Sequence, residues 1–318
     1  MNIVILGAGA YGLALANILS DKNKVTVYSV KQEEIDNLNK TYKNNIILPN
    51  VELSKNITFT ADDDIIRNAD LIVIAIPTNY IDEVIKNIKH KINKNTKICI
   101  ATKGINKNLN KFPYEIVKQE TKNKNIYILS GPSFAIDTAK KEKIILTLAG
   151  NKAEQIKNIF PENYVKIETT KDIIGTQVCG TIKNIFAIAS GILEGMNASD
   201  STKAAFLTKV INETNDIILK LNGNKNTILN ACGIGDILLT CTSKNSRNFS
   251  LGYLIGQNED KTKIQNYINN TTVEGLEALI SIKEVLKTRN INNEIINLIY
   301  NVIYNNEDIN KLLKYIVN

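Results

Sequence analysis

Two regimes of apolar and polar positions divide the chain. In the first half, short runs rich in apolar residues recur at residues 3–6, 24–29, 71–78, 97–102, 126–129, 144–149 and 164–167. Runs of this length, separated by more polar stretches, read as strands buried on both faces of a parallel sheet. Helices are expected between them at 13–19, 62–67, 81–91 and around 115–121, while the segment around Pro49 reads as polar connection. From about Gly175 the strand pattern stops. Apolar residues then recur at helical spacing, as in Ile182, Ile185, Phe186, Ala189 and Leu193, and in Phe206, Val210, Ile217 and Leu221. The pattern predicts the α/β class: a doubly wound, mainly parallel sheet over 1–172, followed by an all-α domain over 173–318.

The first run leads directly into Gly7-Ala8-Gly9-Ala10-Tyr11-Gly12 and then into an apolar helix. In a strand–turn–helix setting, Gly7 allows the turn, Gly9 lets backbone N–H groups approach a pyrophosphate, and Gly12 lets helix pack on strand. The positive end of the helix then faces the phosphates. This makes the sheet Rossmann-like and implies a dinucleotide. An NAD-preferring site usually has an acid at the end of the second strand, but here Val30-Lys31-Gln32 intervenes and Glu33 and Glu34 come late. Lys31 could attract a 2′-phosphate, so NADP is allowed and NAD is not excluded.

Composition narrows the partners. The 318 residues, 43% of them hydrophobic, suffice for two cores. The net charge of +7 suits nucleic acid, an acidic membrane surface or an anionic small substrate. The lysines are scattered among asparagines and isoleucines, which argues against nucleic acid. Cys99, Cys179, Cys232 and Cys241 form no C-x-x-C pair and suit a reduced cytosolic protein. No basic leader precedes the first strand and no apolar run is read as approaching the ~20 residues a bilayer requires. A cytoplasmic protein with no integral membrane span is expected, and no pattern calls for a metal.

Candidate chemistry lies at strand ends and in the helical half. Lys103 follows the run at 97–102, and Ser130-Gly131-Pro132-Ser133-Phe134-Ala135 follows the run at 126–129. Both fall at carboxyl ends of strands, where ligands bind in open α/β sheets. His90, the single histidine, sits between Lys89 and Lys91 and reads as solvent-exposed. Lys183 and Asn184 follow small and apolar residues. Lys183 is either a buried acid/base needing a partner or a lysine reaching the surface. Asp236, after Gly233-Ile234-Gly235, is either that partner or a helix N-cap. Arg247, in a chain whose basic residues are nearly all lysine, suits bidentate phosphate binding or a surface ion pair.

These motifs, with Ala-Thr-Lys-Gly at 101–104, Gly-Ile-Gly-Asp-Ile-Leu-Leu-Thr-Cys-Thr at 233–242, Ser-Arg-Asn at 246–248 and Val-Glu-Gly at 273–275, resemble those of bacterial-type NAD(P)-dependent glycerol-3-phosphate dehydrogenases. The resemblance implies reversible reduction of dihydroxyacetone phosphate to sn-glycerol 3-phosphate for phospholipid synthesis, with NADP or NAD as cofactor. It implies Lys183 as acid/base, tuned or assisted by Asp236 and Lys103. Substrate contacts implied are Lys103, Gly131, Ser133, Lys183, Asn184, Asp236, Thr240, Ser246, Arg247 and Asn248. Cofactor contacts implied are Gly7, Gly9, Ala10, Tyr11, Gly12, Lys31, Lys103, Ala135, Arg247 and Glu274. Position 10 is Ala where the family often has Ser, so only a backbone contact carries over there. The sequence leaves the oligomeric state open between a monomer and a homodimer, since helical second domains of this kind often pair.

Overall fold

The computed structural model describes residues 1–317 and resolves into two compact units, Met1–Lys103 with Phe112–Ile173, and Gly104–Lys111 with the chain from Ile174 onward. In the first unit eight strands form one sheet: β1 (Asn2–Leu6), β2 (Lys24–Tyr28), β3 (Ile57–Thr60), β4 (Leu71–Ile74), β5 (Lys97–Ile100), β6 (Ile126–Ser130), β7 (Ile144–Ala149) and β8 (Val165–Thr170). Their spatial order is β3-β2-β1-β4-β5-β6-β7-β8, and every neighbouring pair is parallel except β6 and β7. Period-two alternation sends Ile3 and Ile5 into one core and Val4 and Leu6 into the other, so both faces of the sheet are covered. Helices α1 (Ala10–Leu19), α2 (Gln32–Thr41), α3 (Ile81–Ile88), α4 (Pro113–Thr121) and α5 (Ala135–Ala139) connect the strands.

Several elements differ from the sequence expectation. β3 lies in the segment read as polar connection; its four residues alternate between buried and more exposed positions beside β2. The apolar run at 71–78 is a strand only to Ile74, before the chain turns at Pro77. Residues 63–68 form a 3₁₀ helix capped by Asp62, whose carboxylate accepts from the Asp64 N–H. The helix expected to reach Lys91 ends as 3₁₀ geometry over Lys89–Lys91, leaving His90 exposed as expected.

The second unit is helical: α6 (Ile173–Gly195), α7 (Asp200–Lys220), α8 (Asp236–Thr242), α9 (Arg247–Gly256), α10 (Lys261–Asn270), α11 (Glu274–Thr288), α12 (Glu294–Tyr304) and α13 (Asn310–Val317). A π-helical segment, Ala231–Gly235, leads into α8. One expectation needs correction here: α6, 23 residues long, is long and apolar enough by composition to cross a membrane. Its apolar window is 89% buried by the protein itself and contains Lys183, which identifies a core helix.

Glycine governs how α6 meets α9. A Cβ at Gly252 would stand 1.9 Å from the Ile188 carbonyl oxygen, and one at Gly256 2.1 Å from that of Ile192. In return, a Cβ at Gly191 would stand 2.0 Å from the Phe249 carbonyl oxygen. Backbones this close leave no room for any side chain between them.

Candidate active site

At the carboxyl edge of β1, Gly7 takes φ +112°, and a Cβ there would lie 2.8 Å from the Ala75 carbonyl oxygen. A Cβ at Gly12 would lie 2.1 Å from the Gly7 carbonyl oxygen, so the turn closes only with glycine at both positions. Gly9 differs: nothing lies within 4 Å of where its Cβ would be. That open space fronts the first turn of α1, which has no side-chain cap and no acidic residue. An uncapped helix N-terminus beside an open glycine fits the pyrophosphate of a dinucleotide.

From this turn a hydrogen-bonded chain runs to the neighbouring strand ends. The Tyr11 hydroxyl lies 3.0 Å from Ser133 Oγ; Ser133 Oγ donates to the Gly131 carbonyl at 3.4 Å, and Lys103 Nζ donates to the same oxygen at 3.4 Å. Thr78 Oγ1 donates to the Lys103 carbonyl at 2.7 Å, fixing the end of β5 against the β4 loop. Ala135 opens α5 directly after this loop, and Lys31 is an exposed residue at the start of α2.

In the helical unit, Lys183 on α6 is 8% exposed, and its Nζ donates to Asp236 Oδ1 at 2.6 Å and to Thr240 Oγ1 at 2.9 Å. Asp236 is fully buried, in the first turn of α8. Thr240, one turn later, donates to the Asp236 carbonyl at 2.7 Å, so α8 presents carboxylate and hydroxyl together to the ammonium. Lys183 is therefore no surface-reaching lysine, and Asp236 is its partner; the N-cap of α8 is Gly235. Beneath them, burial pushes the Cys241 thiol up to about 12, with the Lys183 charge opposing and the Asp236 charge adding to the rise.

A second cluster surrounds the start of α9. Ser246 Oγ accepts from the Phe249 N–H at 3.3 Å and caps the helix, with Arg247 next and exposed. The Arg247 guanidinium has no ion-pair partner among the described residues. Asn248 is buried, and its Oδ1 accepts from the Gly275 N–H at 2.8 Å. Asn184 Nδ2 donates to Glu274 Oε2 at 3.1 Å, so Glu274, expected at the cofactor, is bonded within the helical unit. The structure thus groups Gly7, Gly9, Ala10, Tyr11, Gly12, Lys31, Lys103, Gly131, Ser133 and Ala135 in the first unit, and Lys183, Asn184, Asp236, Thr240, Ser246, Arg247, Asn248 and Glu274 in the second.

Two features escaped the sequence reading. The α6–α9 glycine contact is signalled by paired glycines four apart on both helices, at 191/195 and 252/256. The Ser29–Glu34 bond, Oγ to Oε2 at 2.9 Å, brings an acid back to the end of β2 from five residues on.

A glycine-turn sheet shaped for a dinucleotide, followed in the chain by a helical unit with a buried lysine–aspartate pair, defines a two-domain nicotinamide-dependent dehydrogenase. Residues 2–156 match the family model of the NAD-dependent glycerol-3-phosphate dehydrogenase N-terminus, and residues 172–314 match that of its C-terminus. The chain is 35% identical over 306 residues to a glycerol-3-phosphate dehydrogenase (NAD(P)+) of Neorickettsia sennetsu, covering 95% of this chain and 89% of that protein. It is 33% identical to the enzyme of that name from Clostridium botulinum strain Eklund 17B, over 96% of this chain and 94% of that one. The crystal structure of glycerol-3-phosphate dehydrogenase from Coxiella burnetii superposes with a TM-score of 0.91 at 28% identity, covering 100% of this chain and 98% of that chain. The chain belongs to the NAD-dependent glycerol-3-phosphate dehydrogenase family.

Proposed function

We infer that the protein catalyses reversible NAD(P)H-dependent reduction of dihydroxyacetone phosphate to sn-glycerol 3-phosphate and so supplies the backbone of glycerophospholipids. A homodimer and a cytoplasmic location belong to the same reading. The observation that carries it is the buried Lys183 ammonium held by Asp236 and Thr240.

Reducing a ketone requires a hydride at carbon and a proton at oxygen. When bound, the nicotinamide supplies the hydride. Lys183 supplies the proton to the carbonyl oxygen, and Asp236 holds the ammonium in place until it does so. In the reverse direction the neutral amine takes the proton from the secondary alcohol. Lys103 matches the family residue that polarises the substrate. Ser246, Arg247 and Asn248 take the phosphate. Asn248 suits that task because Gly275 engages its Oδ1, leaving the amide N–H groups to donate. Arg247 suits it because its fork is not committed to a carboxylate among the described residues. Binding energy from this remote phosphate orients the carbonyl.

The test is oxidation of NADH or NADPH by dihydroxyacetone phosphate, followed at the nicotinamide absorbance. Turnover is expected with the phosphorylated substrate and not with carboxylate analogues such as ketopantoate. Lys183→Ala is expected to lower kcat by about 10²–10⁴, the range for a lost general acid, with cofactor affinity nearly intact. A fully active Lys183→Ala removes this mechanism.

A further inference from the structure

We propose that Glu34, held by Ser29 at the end of β2, is the ribose-reading acid of the cofactor site and sets a preference for NAD(H) over NADP(H). The proposal rests on the dinucleotide reading of the glycine turn.

In this fold the adenosine ribose is read at the carboxyl end of the second strand, beside the glycine turn. The two places are adjacent here, because the Gly7 N–H donates to the carbonyl of Tyr28, the last residue of β2, at 2.9 Å. Ser29 follows, anchored through its N–H to the Thr60 carbonyl at 3.2 Å. It is a hydroxyl where an NAD-preferring chain usually carries the acid. That acid comes instead from the first turn of α2: Glu34 is partly buried, and its Oε2 accepts from Ser29 Oγ at 2.9 Å. A carboxylate so placed accepts from ribose hydroxyls and repels a 2′-phosphate.

Val30, between this pair and Lys31, is 75% exposed. An apolar side chain left in water at the strand end offers a surface for the adenine ring. Lys31 is the opposing charge. Its backbone N–H donates to Ser29 Oγ at 3.4 Å, and its exposed side chain makes no hydrogen bond or ion pair among the described residues, whereas Glu34 is held at the strand end. A fixed carboxylate outweighs a solvated ammonium in choosing between cofactors.

The experiment is calorimetric titration of the purified full chain with NADH and with NADPH, in wild type, Glu34→Gln and Lys31→Ala. It reads binding alone, so it stands apart from whether dihydroxyacetone phosphate is the substrate. Wild type is expected to bind NADH at least tenfold more tightly than NADPH. Glu34→Gln is expected to shrink that ratio about tenfold, with NADH weakening and NADPH strengthening. Lys31→Ala is expected to leave the preference for NADH or enlarge it. A purely structural loss weakens both cofactors together and leaves their ratio unmoved, which overturns the proposal. So does a wild-type chain that binds NADPH as tightly as NADH, or neither. If Glu34→Gln does not fold, Ser29→Ala, which releases the carboxylate, is expected to lower the same ratio.

Discussion

At the scale of single residues, the buried ion pair and the buried Cys241 describe the same dry interior of the helical unit, and Cys99 is buried in the core of the sheet. A lysine and an aspartate taken from water gain little net stability from each other, because desolvation offsets most of their attraction. Removing one alone strands a buried charge at a cost of about 3–5 kcal/mol. A pair kept at that risk suggests chemical use, and Thr240 completes it by accepting from the ammonium while donating to the Asp236 carbonyl. The thiols carry a pH prediction. Burial holds Cys99 and Cys241 at about 12, against an ordinary value of 9.0. Below pH 9 both states keep these protons and the contribution is fully present. Between about 9 and 12 the unfolded chain releases protons that the folded chain retains, so stability falls as pH rises. Denaturation midpoints measured from pH 8 to 10.5 should fall, and Cys99→Ala should flatten part of that slope. Near neutral pH neither thiol should react with an alkylating agent until the chain is unfolded.

At the scale of elements, α6 and α9 decide where the side chains of the proposed site stand. Lys183 and Asn184 ride on α6, and Arg247 and Asn248 begin α9. Gly252 sits in their contact, so Gly252→Ala must push a methyl group to within 1.9 Å of a carbonyl oxygen or drive the helices apart. Overpacking of this kind costs about 1–3 kcal/mol. A lowered melting temperature together with a reduced kcat/KM is expected, measured by thermal unfolding and initial rates; an unchanged protein would show that the helices are free to separate. The same elements show what the sequence made legible. Wholly apolar runs buried on both faces, such as residues 3–6 and 126–129, announced their strands, because two-sided burial leaves no polar alternation to confuse them. β3 was hidden because it is an edge strand of four residues, ITFT, with only two buried positions. Lys183 could be singled out by its apolar neighbours, but whether it was buried depended on Asp236, 53 residues away, which periodicity cannot reach. For the same reason Glu34 looked too late in the chain: its distance along the sequence hid a side chain that folds back to Ser29.

At the scale of the whole molecule, the net charge of +7 suits anionic ligands. Both the dinucleotide and a triose phosphate are anions, and a positive protein raises their encounter rate over distances set by the salt concentration. Much of the lysine charge is locally matched, as in Lys86–Asp82, Lys141–Asp21 and Lys220–Asp216, and surface pairs of this kind add little stability. What remains is a diffuse excess, so the effect belongs to the molecule and not to one patch. The Debye length shrinks from about 30 Å at 0.01 M salt to about 8 Å at 0.15 M, enough to silence charges outside the site while leaving those in contact with substrate. The kcat/KM for dihydroxyacetone phosphate should therefore fall as potassium chloride is raised over that range, with kcat nearly constant, because only the approach of the anion is screened. Replacing several exposed lysines that are not among the proposed site residues, such as Lys43, Lys55 and Lys166, by glutamine should flatten the salt dependence without moving the high-salt rate. A salt-independent kcat/KM would assign the positive balance to solvation of the surface, and substrate capture to Arg247 and its immediate neighbours alone.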